Sequence, residues 1–141
     1  MRTRSHGGPD RLRRIPAFHS LSPKELEDVD RLMTTCFVPA GRVLVREGEY
    51  GREAFLIEDG HLVVDQGGIE VGIAGPGDFV GEMALLDHQP RCATVTALDA
   101  VRVLVFDAGA FASLLTHDEV ARHLLGVLSQ RLRTSAAPGP R

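Results

Sequence analysis

The spacing of apolar positions along this chain changes twice. Leu26, Val29, Leu32 and Met33 recur at helical spacing, and Ser22-Pro23-Lys24-Glu25 opens that stretch. A serine that can cap, a proline at the first helical position and a glutamate three residues after the cap make a capping box. Leu21 and Leu26 stand where a hydrophobic staple would join them. The spacing predicts an amphipathic helix over 22–34.

From Phe37 to Phe106 the apolar runs become short. They are Val43 to Val45, Ala54 to Ile57, Leu62 to Val64, Ile69 to Ala74, Ala93 to Ala97 and Val101 to Phe106, with Gly-, Pro- and Asp-rich turns between them. Strands of about 4–7 residues at such regular spacing predict an antiparallel β roll or sandwich. Asp59-Gly60, between two of the runs, predicts a tight hairpin. After Phe106 the helical period returns. Asp107 is placed to cap a short helix carrying Phe111, Leu114 and Leu115. Thr116-His117-Asp118-Glu119 reads as a second capping box. Ala121, Leu124, Leu125, Leu128 and Leu132 then form one stripe. The expected organisation is a flexible basic arm over 1–17, one domain over 18–134 and a flexible tail over 135–141. Within the domain, the helix spans 22–34, the β roll 37–106 and the C-terminal helices 107–134. The fold class is mainly β with flanking α: a jelly-roll-like antiparallel β roll between helices.

Composition narrows the function classes. The 141 residues are 43% apolar and 25% charged, enough for one ordinary core. A net charge of −3 gives the whole chain no bulk attraction to nucleic acid. The positive charge gathers at the start, where Arg2, Arg4, Arg11, Arg13 and Arg14 face only Asp10. No apolar run approaches the ~20 residues that span a bilayer, and no apolar stretch follows the Arg-rich start as in a secretory signal. The expectation is a cytoplasmic protein with no membrane partner. Cys36 and Cys92 have no metal or redox spacing.

Phe79 to Val95 does not read as an ordinary strand. Glu82 to Leu86 prefers helix by propensity, yet it lies between β segments. A helical turn set into a β roll leaves its first N–H groups unpaired, and Gly81 lets another group approach that backbone closely. Together these suit an anion. Arg91 follows Pro90, and a guanidinium can grip two phosphate oxygens at once. Glu82 offers a carboxylate to sugar hydroxyls. One anion receptor beside one hydroxyl acceptor fits a phosphorylated sugar. As an isolated exposed ion pair, Glu82 and Arg91 would contribute only ~0–1 kcal/mol and imply nothing.

The surrounding residues give the pair its meaning. Gly81-Glu82-Met83-Ala84-Leu85, then Leu86 to Gln89, then Pro90-Arg91-Cys92-Ala93-Thr94-Val95, resembles the phosphate-binding cassette of the cyclic nucleotide-binding domain family. Pro39-Ala40-Gly41, Arg46-Glu47-Gly48-Glu49 and Phe55-Leu56-Ile57 agree upstream, so the resemblance covers about residues 18–133. It implies that Arg91 pairs with the cyclic phosphate and Glu82 with the ribose 2′-hydroxyl. Gly81 and the N–H groups of Met83, Ala84 and Cys92 or Ala93 would complete the cradle. Leu85, Val63 and Val71 would contribute to an apolar wall. The last helix would act as a lid, with Leu125, Leu128 or Leu132 covering the base. A thiol at Cys92 in place of a hydroxyl leans toward cAMP over cGMP as the ligand.

Other chemistries lack their residues. The six histidines form no His-x-His pair that would suit a metal-binding β roll. No nucleophile elbow and no phosphate-binding P-loop occur. The expected protein is a sensor and not an enzyme, with no cofactor beyond its nucleotide ligand. Catabolite-activator relatives add a DNA-reading element after the long helix, where this chain has only Thr134 to Arg141. A regulator lacking its own DNA-binding domain, or a ligand-free interaction module of the same fold, is the alternative. The sequence names no downstream effector. It leaves open whether the last helix covers ligand, packs on the roll or joins a homodimer partner.

Overall fold

The computed structural model describes residues 2–3, 8–81 and 89–135, with side chains in the last helix through Gly126. Its strands are β1 (Arg2–Thr3), β2 (Thr34–Val38), β3 (Val43–Val45), β4 (Glu53–Asp59), β5 (Leu62–Gln66), β6 (Ile69–Ala74), β7 (Phe79–Val80), β8 (Thr94–Ala97) and β9 (Val101–Asp107). Its helices are α1 (Pro23–Arg31), α2 (Ala108–Leu114) and α3 (Asp118–Ser135), preceded by 3₁₀ segments at Pro9–Arg14 and Pro16–Phe18. A five-stranded sheet in the order β1-β2-β9-β4-β7 faces a four-stranded sheet in the order β3-β8-β5-β6, with antiparallel pairing throughout. This is the β roll with flanking helices that the apolar rhythm predicts.

The unbroken apolar runs Ala54 to Ile57 of β4 and Val103 to Phe106 of β9 follow from burial on both faces. Along β9, Val101, Val103 and Val105 point into the roll, while Leu104 and Phe106 point toward the helices. On β4, Phe55 and Ile57 face inward and Ala54 and Leu56 face the helices. A strand carrying one layer on each side needs no polar alternation. Helix α1 starts as expected: the Ser22 hydroxyl accepts from the Glu25 N–H at 3.1 Å, and the Glu25 carboxylate accepts from the Ser22 N–H at 2.9 Å. The Asp107 carboxylate caps α2, accepting from the Ala110 N–H at 2.7 Å. No helix among the described residues is long and apolar enough to cross a membrane.

Three expectations are corrected. Asp59-Gly60 is not a hairpin turn, because β4 and β5 belong to different sheets. The chain turns a corner there, with Gly60 at φ +93° and no room for a Cβ beside the Ala100 carbonyl. The two-residue hairpin lies at Gly67-Gly68, with φ +59° and +83°, between the paired residues Gln66 and Ile69. The arm over 1–17 is not a free tail in its described part. Leu12, Ile15, Ala17 and Phe18 are buried, with the first 3₁₀ segment packed on α1 and the second on α3. Their apolar side chains outweigh the arginines between them. Thr116 does not cap α3: its hydroxyl donates back to the Ser113 carbonyl at 2.7 Å, and the helix begins at Asp118.

Candidate functional site

The site is built around Arg91, which precedes β8 and is only 9% exposed. Its backbone is held on both sides by the loop between β3 and β4. The Arg91 N–H donates to the Glu49 carbonyl at 2.7 Å, and the Gly48 N–H donates to the Arg91 carbonyl at 2.8 Å. The same loop is fastened further out: the Glu47 N–H donates to the Thr94 hydroxyl at 3.0 Å, and the Glu47 carboxylate accepts from the Gly67 N–H at 2.9 Å.

The side chain runs inward from that anchor. Nη1 donates to the Gly81 carbonyl at 3.0 Å and Nη2 to the Glu53 carbonyl at 2.9 Å. The guanidinium carbon lies 5.9 Å from the centroid of the buried Phe55 ring, within reach of its π face. A buried cation is costly unless its donors are engaged, and two carbonyl dipoles and a ring face contribute to that engagement. Glycines flank the group. A Cβ on Gly81 would stand 2.2 Å from Nη1, and one on Gly51 would stand 1.9 Å from the guanidinium carbon. The arrangement holds a planar, doubly armed cation at Gly81, just past the end of β7.

The predicted site residues separate into groups. Gly81 and Arg91 are brought into direct hydrogen-bonded contact. Cys92 is exposed and Ala93 is buried beside them, and the Cys92 carbonyl accepts from Gln66 Nε2 at 3.2 Å. Glu82, Met83, Ala84 and Leu85 lie outside the described residues, as do the side chains of Leu128 and Leu132.

Val63 and Val71 are not brought to Arg91. Leu62 and Val64 face the core cluster that contains Phe55, so Val63, between them, faces the other way. Val63 lies opposite Ile73, and Val71 is 43% exposed on the same outward face of β6. Strand parity makes Val64 the inward residue. Leu125 is 64% exposed, while Val120 and Leu124 carry the buried stripe of α3. Sequence reasoning missed Gly51, Phe55 and the Glu53 carbonyl. Phe55 lies in the Phe55-Leu56-Ile57 run that agrees with the family pattern, and Gly51 is a second glycine in Gly48-Glu49-Tyr50-Gly51.

The sequence matches the family described as the cyclic nucleotide-binding domain over residues 35–118. This chain belongs to that family. The matched span holds the whole of the described Arg91 environment, from Gly48 through Phe55 and Gly81. The domain is 38% identical over 105 residues to a cAMP-dependent protein kinase regulatory subunit from Hypocrea atroviridis, covering 74% of this chain and 22% of the relative. It is also 38% identical over 101 residues to a cyclic nucleotide-gated potassium channel from Mesorhizobium japonicum, covering 71% of this chain and 28% of the channel. The chain thus spans about a quarter of the length of these curated relatives. Among solved structures, cAMP bound PfPKA-R is similar with a TM-score of 0.83 and 25% identity, covering 94% of this chain and 46% of that one. This cyclic nucleotide-binding regulatory domain has the β roll of its structural neighbours.

Proposed function

We propose that this domain is a non-catalytic sensor for cAMP. Arg91 takes the cyclic phosphate, Glu82 takes the ribose 2′-hydroxyl, and the C-terminal helices pass the change on. One observation carries the reading: a nine-tenths-buried arginine, held on both backbone sides by one loop, meets with its guanidinium the glycine that opens the cassette. A planar fork suits two oxygens of one phosphate better than a point charge does. The cAMP-dependent kinase relatives and the cAMP bound neighbour support the choice of base, together with the thiol at Cys92.

Transmission has a physical route. α3 is seated on the Pro16–Phe18 segment through a cluster that includes Val120 and Leu124, and this cluster also holds Leu56 of β4. Movement of the Arg91 loop at the start of β4 reaches α3 through that shared core. A ligand shifts such an equilibrium only by its preference for one arrangement. Whether the output goes to another chain or to a further segment of a longer protein is a property of the whole molecule, and the domain itself supplies the ligand-dependent step.

Calorimetric titration tests the reading. The wild-type domain is expected to bind cAMP saturably and more tightly than cGMP. Arg91→Ala should weaken cAMP by about 30-fold or more, since truncating one side of a buried charge pair costs about 2–5 kcal/mol. Absence of saturable binding, or undiminished binding by Arg91→Ala, defeats it.

A further inference from the structure

We propose that Gly51 is the positioning residue of the Arg91 receptor, keeping open by its missing side chain the slot in which the guanidinium is aimed. This rests on the reading of Arg91 as the phosphate-binding group. A Cβ built on Gly51 would lie 1.9 Å from the guanidinium carbon and 2.1 Å from both Nε and Nη2. No arrangement with the arginine in place accommodates a methyl group there.

The backbone does not demand glycine at this position. Gly48, Gly60 and Gly81 have φ of +88°, +93° and +83°, where an L-residue is strained, but Gly51 is not among the positive-φ glycines. The constraint at residue 51 comes from Arg91. What would be struck is the far end of a long side chain, not a backbone segment. Alanine at 51 is therefore expected to displace the guanidinium and leave the roll standing. The displaced group gives up the Gly81 and Glu53 carbonyls and its place over Phe55. The fold survives, and the receptor loses its aim.

Gly51 also lies close to the anchor of the same arginine. The Gly48 N–H and Glu49 carbonyl that fix the Arg91 backbone are three and two residues away along the chain. The loop thus fixes both ends of Arg91: its backbone by hydrogen bonds, its head by an absent Cβ.

The test compares wild type, Gly51→Ala, Arg91→Ala and the double variant, with Gly109→Ala in α2 as a control. Two measurements are made: cAMP titration, and the nuclear magnetic resonance signal of the Arg91 Nε–H with its exchange against water. Gly51→Ala should weaken cAMP about tenfold or more, the equivalent of one charge-assisted hydrogen bond. Its backbone spectrum should stay that of the folded roll, while the Arg91 Nε–H shifts and exchanges faster. The double variant should bind no more weakly than Arg91→Ala alone, and Gly109→Ala should bind as wild type. The proposal is overturned if Gly51→Ala binds as wild type, if its loss adds to that of Arg91→Ala, or if the Nε–H signal stays put.

Should Gly51→Ala fail to fold, the double variant decides. Recovery of folding once the guanidinium is removed supports the slot, and continued unfolding overturns it. If wild type itself fails to bind cAMP, the nucleotide reading falls. The Nε–H signal then still tests the hold of Gly51 on the guanidinium.

Discussion

Arg11 Nη1, in the 3₁₀ segment near the start of the chain, donates to Glu58 Oε2 on β4 at 2.8 Å. Arg102 Nε on β9 donates to the other oxygen of the same carboxylate at 3.2 Å, and Asp30 on α1 stands 3.9 Å from Arg11 Nη2. The Glu58 side chain is only 12% exposed and Arg11 only 16%. One carboxylate therefore joins the N-terminal segment to two strands of the roll. Glu58→Ala leaves Arg11, largely out of water, with only the longer contact to Asp30, and is expected to cost about 2–4 kcal/mol. Urea unfolding measures it. A cost below about 1 kcal/mol would mean that the cluster behaves as an exposed ion pair.

The N-terminal segment should behave as core. Phe18 and Leu12 are fully buried against α1 and the sheet. Phe18→Ala is expected to cost about 3–5 kcal/mol. A chain beginning at residue 18 uncovers part of the cluster around Leu26 and Val29, and should melt well below the full chain in calorimetry. Equal melting temperatures would restore the picture of a loose arm.

Gly60 is irreplaceable for two separate reasons. Its φ of +93° strains any L-residue, and a Cβ would lie 2.5 Å from the Ala100 carbonyl oxygen, a backbone atom that cannot swing aside. Gly60→Ala should destabilise by about 2–4 kcal/mol, adding the conformational and overpacking costs. Chemical denaturation of this variant beside Gly109→Ala separates it from ordinary glycine replacement. Comparable stability of the two would contradict the geometry.

Acid should loosen the first helix. The capping-box hydrogen bonds from Ser22, first its backbone N–H and then its side chain, hold the Glu25 carboxyl below its ordinary value of 4.5, and His117 at 3.5 Å pulls the same way. A carboxyl lowered on folding contributes stability that is fully present above 4.5. That contribution is lost as pH falls through the folded-state value. Melting curves should decline below about pH 4.5 in wild type, and decline less steeply in Glu25→Gln. Parallel curves for the two proteins would remove Glu25 from the acid response.

Much of the fold is legible in local patterns. The Ser22–Glu25 box, the Asp107 cap and the short apolar runs each act over a few residues, through hydrogen bonds and sterics that neighbours supply. The cassette is legible for the same reason, since Gly81 and Pro90-Arg91 are adjacent residue types at fixed spacing. Asp59-Gly60 misled because positive φ serves a corner between sheets as well as a hairpin, and local sequence does not say which sheet the next strand joins. The arginine-rich start misled because charge was weighed above Leu12, Ile15 and Phe18, whose partners lie far along the chain.

By itself, then, the sequence determined the succession of helix, roll and helices, and the family. Tertiary structure decided which face of β5 looks inward. Leu62 and Val64 meet the Phe55 cluster while a register shift follows at Asp65, so the inward valine is Val64. It also decided that the Arg91 guanidinium comes to lie on Gly51 and against two carbonyls, one from β4 and one just past β7. Those contacts join residues distant in sequence, and only strand pairing and dense packing bring such residues within hydrogen-bonding distance of one another.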